Sequence, residues 1–213
     1  MSRYSTVIFD LDGTLIDTKR GILSCLEHTF NTLGLPQYPE PDRFLGPPLP
    51  DSFRRFCGMS ESETDEAVRI FRERYSGEEL FNAEAFRGIP ELLGGLKDNG
   101  YTLAVATCKV EKYAVSILAH FGIDKYFDAV GGSVPERTQK REVIAHVLET
   151  LGISDTSRVL MVGDRDNDVL GAGQCGIGCL YALWGYGSEE EARGSGALGT
   201  VRDTEECFKA ITE

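Results

Sequence analysis

A chain of 213 residues with 41% apolar content can bury one sizeable core and carry a second, small module. Its formal net charge of −12, without any block of lysine or arginine, argues against nucleic acid and anionic membranes as partners, since an acidic surface repels phosphates. A small anionic substrate therefore needs a locally basic pocket. Cys25, Cys57, Cys108, Cys175, Cys179 and Cys207 form no CxxC pair and no metal-finger spacing, and Met1-Ser2-Arg3-Tyr4 leads into a short apolar strand, not a secretory leader. The cysteines read as reduced thiols of a cytoplasmic protein. No apolar run approaches the roughly 18 residues of a membrane span.

Residues Thr6 to Leu11 are β-branched, aromatic and apolar up to an acidic end, which predicts a buried central strand opening onto a site. Thr18 to Leu33 places Ile22, Leu26, Phe30 and Leu33 at helical spacing and stops at Gly34, an amphipathic helix with a glycine cap. The six prolines between Pro36 and Pro50 break regular structure into loops. Residues 51–82 are charged and weakly helical, with Ala67, Ile70, Phe71 and Leu80 as inward positions, and the acidic run Glu61 to Glu66 reads as a solvated helix start. Residues 16–82 thus form an all-helical module inserted after the first strand.

Beyond Gly88-Ile89-Pro90 helices and strands alternate: helix 90–98, strand 102–106, helix 110–121, a short strand at Ala129-Val130, helix 139–151, strand 159–162 and a strand at 178–182. Alternation of this kind predicts an α/β fold with a doubly wound parallel sheet, whose ligands bind beyond the carboxyl ends of the strands. Residues 1–15 and 83–213 make up that core. Gly185 to Gly199 reads as a glycine-rich surface turn before the last helix.

Polar residues gather where the strands end: Asp10 with Asp12, then Thr107, then Lys140 at a helix start, then Asp164 with Asp168. Asp10 and Asp12 flank Leu11 and precede Gly13-Thr14, so two carboxylates share a small volume and their repulsion calls for a cation. Oxygen ligands without nearby His or Cys favour magnesium over zinc. Taken singly, the bland readings stand beside these: a turn or cap for the aspartates, a turn residue for Thr107, a solvated helix start for Lys140.

The ordered set of Asp10-Leu11-Asp12-Gly13-Thr14, Thr107, Lys140 and Gly163-Asp164 with Asp168 resembles the haloacid dehalogenase superfamily over nearly the whole chain. The stretches TVIFDLDGTLIDT, RGIPELL, ATCK and LMVGDRDND resemble its phosphoglycolate phosphatase-like branch. The resemblance implies a magnesium-dependent phosphatase acting on a small phosphorylated metabolite. It makes Asp10 the nucleophile and Asp12 the general acid and base. Gly13, Thr107, Cys108 and Lys140 would face the phosphoryl group. Asp10, Asp164 and the backbone carbonyl of Asp12 would hold the ion, with Asp168 orienting that group from behind. Residues 16–82 would be a mobile cap, with substrate contacts from residues 44–50 and from Arg20, Arg43 or Arg54. The protein would be a monomer or homodimer.

Two positions depart from the commonest pattern of that family, Cys108 and Arg165. An inert, packed Cys108 is the favoured reading over a thiol activated by Lys109. Rival readings are a phosphosugar mutase or pyrophosphatase of the same superfamily, a dehalogenase, a phosphonate hydrolase using Lys19, a receiver domain and a non-catalytic binding module. Motif order excludes the receiver, and no catalytic position is missing as a silent scaffold would predict.

Overall fold

The computed structural model describes residues 3–213; Met1 and Ser2, which the sequence reading places in the core, lie outside the described residues. The chain begins with β1 (Thr6–Phe9) and then a two-residue strand, β2 (Ile16–Asp17). Three helices follow: α1 (Lys19–Thr32), α2 (Leu49–Cys57) and α3 (Glu61–Arg74). The return strand β3 (Glu84–Ala85) pairs antiparallel with β2. Local chemistry sets these helix ends. Gly58 closes α2 at φ +67°, and Ser60 starts α3 by a reciprocal cap, with Glu63 Oε2 accepting from Ser60 N at 2.8 Å.

The remaining chain alternates: α4 (Ile89–Asp98), β4 (Thr102–Val110), α5 (Glu111–His120), β5 (Ala129–Ser133), α6 (Lys140–Thr150), β6 (Val159–Gly163), α7 (Asp166–Gln174), β7 (Gly178–Ala182), α8 (Glu189–Ser195), β8 (Gly199–Val201) and α9 (Thr204–Thr212). β1, β4, β5, β6, β7 and β8 form one sheet in the order β5-β4-β1-β6-β7-β8, and every neighbouring pair runs parallel. The order reverses at β1, so the crevice of the doubly wound sheet opens where β1, β4 and β6 end.

Alternation along the strands sorts the core into two layers. Val7, Phe9, Leu103, Val105, Leu160 and Val162 pack against the layer holding α4, α5 and α9, whereas Ile8, Ala104, Ala106 and Met161 meet α6 and α7. The first layer continues through Leu11, Leu15 and Ile16 to Ile22, Leu26 and Phe53, so the helical insert shares a core with the sheet.

Three details differ from the sequence reading. β4 runs past Ala106 to Val110, through a break in its pairing with β5 between Ala106 and Val110, which carries three half-buried residues to the cavity edge. β5 extends to Ser133. The segment 185–199 is no mere surface turn: it contains α8, capped by Ser188 Oγ accepting from Glu191 N at 3.1 Å, and leads into β8. A helix that short and acidic, with Ala192 its one buried residue, carries no readable apolar period.

Candidate active site

The sheet places Asp10 immediately beyond β1, where its backbone N–H still donates to Val162 O at 2.9 Å. Its carboxylate Oδ1 accepts from Lys140 Nζ at 2.8 Å. The same ammonium lies 2.7 Å from Asp168 Oδ1 and 3.0 Å from Ala106 O, so all three of its donor positions have acceptors. Lys140 is the first residue of α6, where the helix dipole disfavours a cation; Asp10 and Asp168 outweigh that. Its stem crosses Gly171, where a Cβ would stand 2.5 Å from Lys140 Cγ.

Asp164, just after β6, is fully buried. Thr14 Oγ1 donates to its Oδ1 at 2.9 Å, and Tyr186 N donates to its Oδ2 at 2.8 Å. Asp168, one turn into α7, turns back so that its Oδ2 accepts from Asp164 N and Arg165 N, each at 3.1 Å. Oxygens of Asp10, Asp164 and Asp168 lie within 4.8 Å of one another. Burial, with Lys140 pulling the other way, raises the Asp10 carboxyl to about 6, and Asp168 adds to the rise. Burial, then Asp168 and Asp10, hold Asp164 well above the ordinary carboxylate range. Crowded, buried, oxygen-only donors of one sign fit a hard divalent cation. Each of the three carboxylates already accepts from a protein donor, and each keeps a further lone pair that a cation could use.

Asp12 points away from that cluster. Its Oδ1 accepts from Thr18 Oγ1 at 2.7 Å, and its Oδ2 from Lys109 Nζ at 2.9 Å. Burial disfavours the Lys109 charge, yet the Asp12 carboxylate and Tyr75 together hold the ammonium above its usual pKa. Lys109 also sits over the Tyr75 ring, 4.7 Å from its centroid. It therefore faces Asp12 and not Cys108, whose thiol is pushed up to about 11, chiefly by burial, against the pull of Lys140. A packed, protonated Cys108, with Asn167 Nδ2 at 3.6 Å from its Sγ, is what results. Thr107 is buried, and its hydroxyl oxygen accepts from Lys109 N at 3.2 Å.

Gly13 departs from its expected place among phosphate donors. Its N–H donates to Ile16 O at 2.9 Å, closing the turn that follows Asp12, so it has no amide to offer a ligand. What the site needs at Gly13 is space: at φ +84° a Cβ would lie 2.2 Å from Asp164 Oδ2.

Asp10, Asp12, Thr107 and Cys108 line a cavity of about 330 Å³ whose other wall comes from the helical insert, through Phe44, Pro47 to Asp51, Phe71 and Tyr75. Of the three arginines expected to meet substrate, Arg54 reaches this lining, held 2.6 Å from Asp51. Arg20 and Arg43 instead pair at the surface with Glu84 and Glu40, and Lys19 pairs with Asp42. Thr18 and Tyr186 are functional candidates that sequence reasoning missed, and Lys109, considered there only as a neighbour of Cys108, instead meets Asp12. The polar–apolar alternation of Thr107 to Val110 could have flagged Lys109, and the glycines flanking Tyr186 a close approach.

The profile of the family described as haloacid dehalogenase-like hydrolase matches residues 7–182. A 5'-nucleotidase of Pseudomonas aeruginosa is 40% identical over 195 residues, covering 90% of this chain and 88% of the relative. A phosphoglycolate phosphatase of Aquifex aeolicus is 31% identical over 192 residues, covering 84% of this chain and 85% of the relative. Among solved structures, a protein of Clostridium acetobutylicum described as a predicted phosphatase superposes with a TM-score of 0.94 at 34% identity over 99% of both chains. With its sheet order and its strand-end aspartates, the chain belongs to the haloacid dehalogenase-like hydrolase family.

Proposed function

We propose that this phosphatase hydrolyses a small phosphate monoester in two steps, with Asp10 as the nucleophile and Asp12 as the acid that protonates the departing oxygen and then activates water. The observation that carries the reading is the contrast between two aspartates separated by Leu11. Asp10 is buried against Lys140 beside Asp164, while Asp12 is held apart by Thr18 and Lys109. Environments that differ so sharply suit one carboxylate to attack and the other to proton transfer. Asp10, Asp164 and the backbone carbonyl of Asp12 would hold magnesium, which when bound neutralises charge on the phosphoryl oxygens.

Lys140 keeps Asp10 aimed and offsets the charge that the phosphoryl group brings in. Thr107 stands at the cavity wall to donate to a phosphoryl oxygen. Asp10 attacks phosphorus and the ester oxygen leaves with a proton from Asp12; Asp12 then takes a proton from water as it attacks the aspartyl phosphate. The helical insert, residues 16–82, acts as a cap that keeps bulk water from this step. Its aromatic wall of Phe71 and Tyr75, facing Tyr113, favours an ester with a flat or apolar leaving group, so nucleoside monophosphates should outrank phosphoglycolate and sugar phosphates. The cysteines are all free, which suits the reducing cytoplasm, and no helix among the described residues is long and apolar enough to cross a membrane.

The test is phosphate release from a panel of these esters with magnesium or EDTA, comparing the native chain with Asp10→Asn. Metal-dependent release that Asp10→Asn abolishes, together with a hydroxylamine-sensitive phosphoenzyme, is the expected result. Release that survives in Asp10→Asn would overturn the nucleophile assignment, and silence on every ester would favour a mutase.

A further inference from the structure

The loop after β7 reaches back over the first aspartate motif. Trp184 Nε1 donates to Thr14 O at 2.9 Å. Gly185 comes so close that a Cβ there would lie 2.3 Å from both Asp164 Cβ and Gly13 O. The Tyr186 ring lies against Gly13, where a Cβ would meet its Cδ2 at 2.7 Å, while its backbone N–H donates to Asp164. The phenol continues to the junction where the helical insert begins. It accepts from Thr18 N at 2.7 Å and donates to Asp17 Oδ1 at 3.1 Å.

Thr18 is the N-cap residue of α1, yet its hydroxyl makes no capping bond. That hydroxyl donates to Asp12 Oδ1 instead. The Tyr186 phenol therefore holds the backbone of the residue that holds Asp12. A helix-start N–H needs an acceptor from outside the helix, and a phenol can accept there while donating elsewhere.

We propose that Tyr186 is a positioning residue for Asp12: it fixes the β2–α1 junction so that Thr18 presents its hydroxyl to the acid, and the seating of the helical insert and the aim of Asp12 are set together. This rests on the reading of Asp12 as the group that protonates the leaving oxygen. Proton delivery by a positioned acid contributes roughly 10²- to 10⁴-fold, so a small loss of aim is measurable.

Tyr186→Phe removes the phenol oxygen and keeps both the ring over Gly13 and the amide to Asp164. Amide exchange in the metal-free chain should quicken at Thr18 while strand β1 stays protected. With magnesium, kcat/KM for an alkyl phosphate should fall about tenfold or more, and for p-nitrophenyl phosphate, whose leaving group departs without a proton, less than about threefold. Thr18→Val should reproduce this selective loss, and combining it with Tyr186→Phe should add nothing further. Unchanged exchange at Thr18, equal losses for both esters, or multiplicative losses in the double variant would overturn the proposal. If the native chain released phosphate from neither ester, the phosphatase mechanism would fall, while the exchange result would still decide whether Tyr186 holds Thr18.

Discussion

Lys109 Nζ lies 2.9 Å from Asp12 Oδ2 and is roofed by the ring of Tyr75, so a lysine of the sheet is clasped between the candidate acid and an aromatic residue of the helical insert. Lys109→Met leaves Asp12 with Thr18 alone and removes a cation that the insert covers. Its kcat/KM should fall by about 10²-fold, on the scale of a lost acid contribution. Lys109→Arg should not restore it, because a planar guanidinium does not reproduce a point charge beneath a ring. Steady-state kinetics of both variants check this, and a loss under about twofold for Lys109→Met would count against any role in aiming Asp12.

Metal removal should change how stability depends on pH. In the metal-free chain, burial raises Asp10 to about 6, with Lys140 opposing and Asp168 reinforcing the rise. The folded state therefore binds a proton where the unfolded chain is already ionised. That stabilisation is present in full below the ordinary carboxylate pKa and is lost as pH rises through about 6. A divalent cation replaces the proton, so added magnesium should raise Tm more at pH 7 than at pH 5, measured by thermal melts against EDTA controls. An equal increment at both values would show that Asp10 does not sense the ion.

Arg165 bridges the sheet and the insert. Its guanidinium donates to Leu45 O and pairs through Nε with Glu191 at 2.9 Å, and its stem lies where a Cβ on Gly46 would stand 2.8 Å away. Arg165→Ala releases the 44–50 loop that walls the cavity while leaving Asp10 and Asp12 untouched. KM should rise about fivefold to tenfold with kcat changed less than about threefold, the pattern of lost binding that does not distinguish ground from transition state. A fall confined to kcat would place Arg165 in the chemistry instead.

Gly185→Ala tests how tightly the loop after β7 is pressed onto the site. The added methyl would meet backbone at Gly13 O and the buried Asp164, neither of which can move without disturbing the other aspartates. Overpacking of this kind costs roughly 1–3 kcal/mol. Tm and activity should fall together, whereas Gly194→Ala, with nothing within 4 Å, should leave both unchanged.

The alternation of apolar strands and amphipathic helices made the α/β class legible, because sheet strands buried on both faces read as nearly continuous apolar runs, as Val7 to Phe9 do. Asp10, Lys140, Asp164 and Asp168 could be grouped because each stands at a strand end or helix start of that frame. What could not be read was direction. Nothing in the order of residues says that Asp12 turns away from Asp10 toward Thr18, or that the Gly13 amide closes on Ile16. Tyr186 lay in a glycine-rich stretch with no period, and its role comes from contacts with Thr18 and Asp17, 168 and 169 residues away in the chain. Such contacts leave no local pattern.

The pairing of Ile16 with Ala85 and of Asp17 with Glu84 brings the exit and the return of the helical segment side by side. Facing Cα atoms in an antiparallel pair stand about 5 Å apart, a gap that one or two residues can span. The segment is thus attached like a plug with adjacent prongs, and the connection from β1 to β4 stays the same whatever is carried between them. Exchange for the corresponding segment of a relative should leave the parallel sheet threaded as before and, on the proposed reading, carry the choice of leaving group with it, provided that the incoming segment keeps a hydroxyl at Thr18 against Asp12.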